Sequence, residues 1–350
     1  MLKILIMTDF GIKLLQWYHV YKRSLPWRSV NDPYKVWLSE IILQQTQVVQ
    51  GLAYYERFVQ EFPDVHSLAM ASEEKVLKLW QGLGYYSRAR NLHTTARFIS
   101  TELKGIFPST YNDILKLKGI GPYTAAAISS FCFGEPRAAI DGNVYRFISR
   151  LKGIHTPIDT TEGKKEFALM AEVLLNKKEP GDHNQAMIEY GALVCKPANP
   201  VCNGCIFNDD CIAFSQKTVS ELPAKSKKLK QRQRYFNYFL IENEGAIYLE
   251  KRSGNDIWKN LYQLPLTETE HEVAPEELSG ELGTEVVLIA QKKHILSHQV
   301  INASFYFADK SVVNGLDGGY VLVNLNEIKN YPFSQLVANF LDERIRVRQD

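Results

Sequence analysis

Residues 111–128 read YNDILKLKGIGPYTAAAI. Two stretches with helical apolar spacing meet at Gly119-Ile120-Gly121, and Pro122 follows at once. Glycine takes the left-handed backbone conformations that a tight turn demands. Proline suits the first position of a helix, where a missing N–H costs nothing. The spacing therefore predicts a helix ending near Lys118, a turn in which both glycines permit a tight backbone, and a second helix from about Pro122. Free N–H groups at the start of such a helix can hold a phosphate without reading a base. A plain corner between two helices would use the same residue types.

The helical pattern continues on both sides. Apolar residues recur at helical spacing in 34–62, 72–81, 88–103, 111–117, 123–133, 143–151, 163–175 and 184–195, with Gly, Pro, Asn and Asp in the gaps. The N-terminal run MLKILIMTDFGIKLL is interrupted by Asp9 and Lys13 and lacks a small-residue cleavage site. It reads as the start of a strand or helix and not as a signal peptide. No stretch approaches the roughly 18 apolar residues of a membrane span, so an intracellular, cytoplasmic protein with no membrane partner is expected.

Near residue 218 the character changes. Residues 223–234, PAKSKKLKQRQR, carry six basic residues and no acidic one, and 218–234 read as a basic linker. The overall charge of +2 on 350 residues says nothing about a nucleic-acid partner. Beyond the linker come the strand-like runs YFNYFLIE, AIYLEKR, VVLIAQ, NASFYFA and GYVLVNL, with turn residues between them. Helices are expected at about 274–282 and 334–346. The chain is therefore read as multi-domain: an all-α region over 1–217 and a smaller α+β domain over 235–350.

Four of the five cysteines fall within 17 residues, as Cys195-x6-Cys202-x2-Cys205-x5-Cys211. Such a cluster suits a metal site better than a secreted disulfide framework. Four thiolates can hold a zinc ion or a [4Fe–4S] cluster, and spacing alone leaves that choice open. Cys132, on an apolar helix, reads as a core thiol. Glu40 stands in an apolar helix with Trp37 and Leu43 three residues to either side. A carboxylate so placed has a raised pKa and can donate a proton near neutrality, although a glutamate satisfied by a neighbour has the same pattern. Asp141, in AAIDGNVYRFISR, is by itself a helix N-cap.

Taken together, these motifs resemble a known family. The pattern L-x-G-x-G-x-x-T-A over 117–125 is typical of helix–hairpin–helix motifs, and the 6-2-5 cysteine spacing matches endonuclease III-like DNA glycosylases. LPWR, PYKVWLSE, LQQTQV, LWQGLGYYSRARNLH, the hairpin, DGNV, NQAMIEYGALVC and the cysteines follow in order. This combination resembles the MutY family of adenine DNA glycosylases over nearly all of 17–215. The resemblance implies a helix–hairpin–helix glycosylase fold. Within it, a six-helix barrel covers about 29–135, and an iron–sulfur subdomain covers 1–28 and 136–217. A Nudix-like recognition domain occupies 235–350.

The resemblance also implies an activity: hydrolysis of the N-glycosidic bond of adenine opposite 8-oxoguanine or guanine in double-stranded DNA, by a monomer carrying one [4Fe–4S] cluster on Cys195, Cys202, Cys205 and Cys211. Bifunctional relatives carry a lysine where this chain has Tyr123, and a phenol cannot form an imine. A monofunctional enzyme is expected, in contrast to an endonuclease III-like lyase. A DNA-binding sensor without catalysis would need neither Glu40 nor Asp141. By resemblance Glu40 is the acid and Asp141 stabilises the sugar cation, while Tyr123 and Asn143 orient them. Trp27, Arg28 and Gln185 shape the adenine pocket. Gln45 and Tyr85 wedge around the opposite base with Leu83 alongside, and Gly119 and Gly121 form the DNA grip. The family reads 8-oxoguanine through a Phe-Ser-His loop. Here the segment is KHILSHQV, so Ser297 and His298 match but Leu296 replaces the aromatic. A simple strand-edge turn over 294–300 is the bland alternative. The segment EHEVAPEELSGELGTEV lacks the dense acidic set of a Nudix hydrolase, so recognition without pyrophosphatase activity is expected.

Overall fold

The computed structural model of the protein describes residues 2–226, 231–315 and 319–347. The chain divides into two compact units, one of residues 1–69 and 94–227, the other of 70–93 and 228–350. Residues 70–93, expected within the helical region, thus group with the C-terminal one.

In the first unit the N-terminal run is a full helix, Leu2–Tyr21. Phe10, Leu14 and Tyr18 recur every four residues and so share one face. That face packs on Val144, Phe147 and Leu151 of helix Gly142–Lys152, on Phe167, and on Met187 and Tyr190 of helix Pro180–Leu193. Phe207 closes the cluster from the cysteine-bearing segment. Each such side chain, once buried, contributes about 1.5–3 kcal/mol, which ties the start of the chain to residues that follow Asp141.

The helix expected over 34–62 is two helices, Pro33–Leu43 and Val48–Glu61. Asp32 starts the first, accepting from the Tyr34 and Lys35 amides at 3.0 and 3.4 Å, with Pro33 at the first helical position. The break comes at Gln45, whose φ of +57° no helix can contain. The break holds the polar run Gln44-Gln45-Thr46-Gln47, with no Gly or Pro to mark it, and apolar spacing resumes at Val48.

The hairpin is built from helices Tyr111–Leu115 and Pro122–Phe133. The first ends three residues earlier than expected, and residues 116–120 descend in tighter turns closed by Leu117 N–H to Ile114 O and Ile120 N–H to Leu117 O. Gly119 has φ +81° and needs to be glycine. Gly121 does not need to be on conformational grounds, since its φ is −96°. A Cβ added there would meet nothing within 4 Å, so what the second glycine supplies is open space beside the helix start. This corrects the reading in which both glycines serve the turn.

The basic stretch 218–234 is not a plain linker. Leu222 is buried, its carbonyl accepts from Arg150 Nε at 3.0 Å, and the Ala224 carbonyl accepts from the Ile158 amide. Strand structure begins at Arg232. Of the expected linker only 227–230 lie outside the described residues.

The second unit holds a seven-stranded sheet: β1 (Arg232–Asn243), β2 (Ala246–Lys251), β3 (Tyr262–Gln263), β4 (Leu266–Thr269), β5 (Val286–Ile295), β6 (Gln299–Ala308) and β7 (Tyr320–Asn324). Its order is β3-β2-β1-β6-β5, with β4 pairing β1 and β7 pairing β2. β1 and β6 run parallel, with Arg232 opposite Gln299 and Ile241 opposite Ala308. Strands β3 and β4 carry too few alternating residues to be seen in sequence. The apolar run of β6 reflects burial on both faces. Phe305 stacks between Tyr238 and Phe340 of helix Gln335–Val347, at 5.1 and 4.0 Å. Tyr306, on the other face, packs with Phe239 and with Leu278 of helix Pro275–Leu282. Among the described residues, no helix is long and apolar enough to cross a membrane.

Candidate active site

A cavity of about 870 Å³ opens in the first unit, and Trp27, Arg28, Glu40, Tyr123, Asp141 and Gln185 are among its lining residues. The local structures that deliver them are short. Pro26–Arg28 is a single tight turn that begins on proline and presents Trp27 and Arg28 together. Trp27 is held edge-on by Tyr55 at 5.0 Å. Glu40 lies on the Pro33–Leu43 helix and is only 8% exposed. Burial pushes its carboxyl up to about 7; a hydrogen bond from the Tyr123 phenol and the charge of Arg28 pull the other way, and the charge of Asp141 pushes with burial. Burial, together with Glu40 and Asp141, keeps the Tyr123 hydroxyl protonated, well above the usual phenol range. Tyr123 therefore donates and carries no nucleophilic amine.

Asp141 is indeed the N-cap of helix Gly142–Lys152, accepting from the Asn143 and Val144 amides at 2.9 and 2.8 Å. Its second oxygen accepts from Asn143 Nδ2 at 2.6 Å. Capping and lining the cavity are compatible: the backbone bonds fix the carboxylate while it stays open to the cavity. Burial raises its pKa, and the Val144 and Asn143 donors offset part of that.

Glu189, which the sequence reading missed, holds this wall in place. It is completely buried and takes Arg23 and Arg28 together. Arg28 donates from Nη1 and Nη2 at 3.0 and 2.7 Å, and Arg23 donates from its amide and Nε at 2.9 and 2.8 Å. Burial opposes the charge, but the bonds from Arg23 and Arg28 outweigh it and hold Glu189 down at about 2. The available signal was its place four residues after Gln185 on one helical face. Gln185 is itself fixed by the Tyr18 hydroxyl, which donates to its Oε1 at 3.1 Å.

Arg146 was missed as well. It is 8% exposed and donates to Asn143 Oδ1 at 2.9 Å, to Gly191 O at 2.6 Å and to Cys195 O at 2.7 Å. One guanidinium thus joins the neighbour of Asp141 to the first cysteine. A Cβ on Gly191 would meet the Asn143 carbonyl oxygen at 2.7 Å, so only glycine lets the two helices approach this closely.

The four clustered cysteines line one cavity with Phe147, Leu151 and Phe207 among its walls. Among the described residues, no three His, Cys, Asp or Glu side chains are placed to hold one ion. Four thiols lining one cavity are the donor set that a zinc ion or an iron–sulfur cluster takes. Tyr190 Oη lies 3.0 Å from Cys205 Sγ, and Arg150 Nη1 lies 3.5 Å from Cys195 Sγ. Cys132 is half-buried and free, with its thiol pushed up to about 12 by burial.

The remaining candidates divide between the units. Gln45 is exposed on the rim of the first cavity. Gly119 and Gly121 form the hairpin described above. Leu83 and Tyr85 lie in the second unit, Leu83 buried and Tyr85 45% exposed. Tyr85 has φ +48° in a loop clamped by Arg88, whose Nη2 donates to the carbonyls of Leu83 and Gly84. Ser297 and His298 form the turn between β5 and β6. The Tyr85 hydroxyl donates to Ser297 Oγ at 3.0 Å, and both residues line a cavity of about 390 Å³ with Trp258, Leu296 and His298.

Comparison with known proteins fits this geometry. An adenine DNA glycosylase from Buchnera aphidicola (subsp. Baizongia pistaciae) is 33% identical over 319 residues, which covers 89% of this chain and 90% of the relative. The chain belongs to the adenine DNA glycosylase family. The human adenine DNA glycosylase is 41% identical over 226 residues, 62% of this chain and 41% of that protein. Residues 38–172 match the HhH-GPD superfamily of base excision DNA repair proteins, and residues 237–343 match the NUDIX domain. A thermostable thymine-DNA glycosylase superposes with a TM-score of 0.56 at 26% identity, over 60% of this chain and 97% of that one. The chain is therefore a base-excision-repair DNA glycosylase with DNA as its partner, and membership of the adenine DNA glycosylase family sets the frame for the two cavities.

Proposed function

We propose that this chain removes adenine paired with 8-oxoguanine or guanine, as a monofunctional glycosylase. The observation that carries the proposal is Glu40: a buried carboxyl at about 7, facing the same cavity as the capped carboxylate of Asp141.

To reach that cavity the adenine leaves the helix stack. Near neutrality a substantial fraction of Glu40 is protonated and can give its proton to N7 of the flipped base. The electron pair of the bond to C1′ then leaves with a neutral adenine, and the sugar becomes an oxocarbenium-like cation. Asp141, as the carboxylate fixed by the Asn143 and Val144 donors, stabilises that cation across the gap or as a transient covalent acetal. Water adds to C1′, and the Glu40 carboxylate takes its proton. This is the two-carboxylate logic of glycoside hydrolysis applied to an N-glycosidic bond. Tyr123 and Asn143 orient the two carboxyls, and Arg28, Trp27 and Gln185 shape the pocket. With no amine at position 123, no imine forms and the strand stays intact.

Gln45, Leu83 and Tyr85 are assigned to the opposite base, and Gly119 and Gly121 to the phosphate grip. Ser297 and His298 are assigned to hydrogen bonds with 8-oxoguanine, with Leu296 replacing an aromatic contact. Cys195, Cys202, Cys205 and Cys211 would hold one [4Fe–4S] cluster. Its part is structural, supporting the loop around Lys196 and Pro197; the hydrolysis needs no electron transfer.

A duplex with adenine opposite 8-oxoguanine, treated with enzyme and then alkali, tests the proposal. Cleavage at that adenine only after alkali, with no capture by borohydride, is expected. Adenine left in place, or efficient borohydride capture, would overturn it.

A further inference from the structure

We propose that Tyr190 donates a hydrogen bond to the Cys205 thiolate and thereby raises the reduction potential of the iron–sulfur cluster. The proposal rests on the reading of the four cysteines as cluster ligands. Tyr190 is fully buried. Its ring is locked by Trp17, Phe147 and Phe207 at centroid distances of 4.7, 4.9 and 5.3 Å, so the hydroxyl has one location. There it accepts the Ile206 amide at 3.1 Å and faces Cys205 Sγ at 3.0 Å.

The direction of the second bond follows from the proton inventory. A phenol oxygen has one hydrogen. The Ile206 N–H already supplies a proton to that oxygen, so the phenol's own hydrogen is free for the sulfur. A thiolate bound to iron has no hydrogen to give. The O–H therefore points at Cys205 Sγ. A donor at a ligating sulfur withdraws electron density from the sulfur and from the iron behind it, which favours the more reduced cluster. The bond lies in a dry apolar wall of Phe147 and Phe207, where it is stronger than in water.

Arg150 also approaches a cysteine sulfur, but its guanidinium holds the carbonyls of Leu222, Lys196 and Pro197 as well. Removing it would take those three backbone bonds away as well. Tyr190 is the donor whose bond can be tuned by ring fluorination while its oxygen stays in place for Ile206. Its neighbour Glu189 holds Arg28, which lines the catalytic cavity, so one helix serves both sites through successive residues.

The test is protein-film voltammetry on the full chain as wild type, with Tyr190→Phe, and with a fluorotyrosine placed at residue 190. Iron, sulfide and zinc content and the visible absorption of the wild type come first, and they test the cluster reading alone. Zinc or no metal there would remove both that reading and this proposal. With a cluster present, the potential should shift in order, Phe most negative, Tyr intermediate, fluorotyrosine most positive, because fluorine makes the phenol a stronger donor. The Phe variant should also lose its visible absorption faster under air. The fluorotyrosine arm keeps the oxygen that Ile206 needs, so it decides the matter even if the Phe variant fails to hold a cluster. Equal potentials for Tyr and fluorotyrosine would overturn the proposal while leaving the cluster reading intact.

Discussion

Both units commit carboxylates to arginine, and the helical unit holds beside them a buried carboxyl, Glu40, whose hydrogen bond comes from a phenol instead. In the C-terminal unit Arg234, 7% exposed, takes Glu268 through Nε at 2.7 Å and Asp256 through Nη2 at 2.7 Å. Burial works against the Asp256 charge, but Arg234 and Arg252 hold its pKa below the usual range. These acids are committed to pinning β1. In the helical unit Glu189 is committed in the same manner to Arg23 and Arg28, and that leaves Glu40 with a phenol in place of a guanidinium bond. The difference teaches where reactivity sits. An acid neutralised by a fork of donors is scaffold, whereas a buried acid left near its proton-exchange point can do chemistry.

If that contrast is right, the largest effect should come from the two cavity-lining acids that carry no arginine bond, Glu40 and Asp141. Glu40→Gln is expected to lower the single-turnover rate of adenine release by about 10²–10⁴-fold, the usual weight of a general acid, while mismatch binding by gel shift survives. Asp141→Asn should fall comparably, because asparagine keeps the helix cap but not the charge. Retained activity in either variant would break the comparison.

The committed acid should matter to folding. Glu189→Gln leaves two arginines facing a neutral amide in a buried wall, at a cost of about 3–5 kcal/mol measurable by urea unfolding. Its folded pKa, about 2, lies below that of an ordinary glutamate. The stability it supplies is therefore present above the ordinary range and is lost as pH falls toward 2. Glu40 has the opposite sign. Its pKa is raised to about 7, so the folded state loses stability as pH climbs through that window. Glu40→Gln is then expected to gain on the order of 1–3 kcal/mol at pH 8 while losing activity. The smallest effect belongs to Asp256→Asn. Its side chain is about a third exposed, and Arg234 keeps Glu268, so the change should stay within about 1 kcal/mol.

Much of this contrast was legible in the sequence, because its parts are local. Gly119 and Pro122 announce a turn and a helix start within four residues, and Asp141 caps the helix that follows it directly. Glu40 could be suspected from its apolar helical neighbours. The missing parts are long-range. Arg23 and Arg28 meet Glu189 across more than 160 positions, and no periodicity encodes that. Arg234 looked like linker charge because its partners lie 22 and 34 residues away. The break at Gln45 was hidden for another reason: residues 44–47 carry no Gly or Pro, and the chain leaves the helix through the backbone angles of Gln44 and Gln45.

The central claim is that Glu40 is the acid, held near 7 by burial against Tyr123 and Arg28. The most direct measurement is the pH dependence of the single-turnover rate of adenine release from a duplex with 8-oxoguanine opposite, for wild type and Tyr123→Phe. The wild-type rate should fall above about pH 7, roughly tenfold per pH unit. In Tyr123→Phe the fall should begin at higher pH, because the lost phenol bond was lowering the Glu40 pKa. A wild-type rate that stays flat well above pH 7, or a limb that Tyr123→Phe leaves in place, would contradict the account.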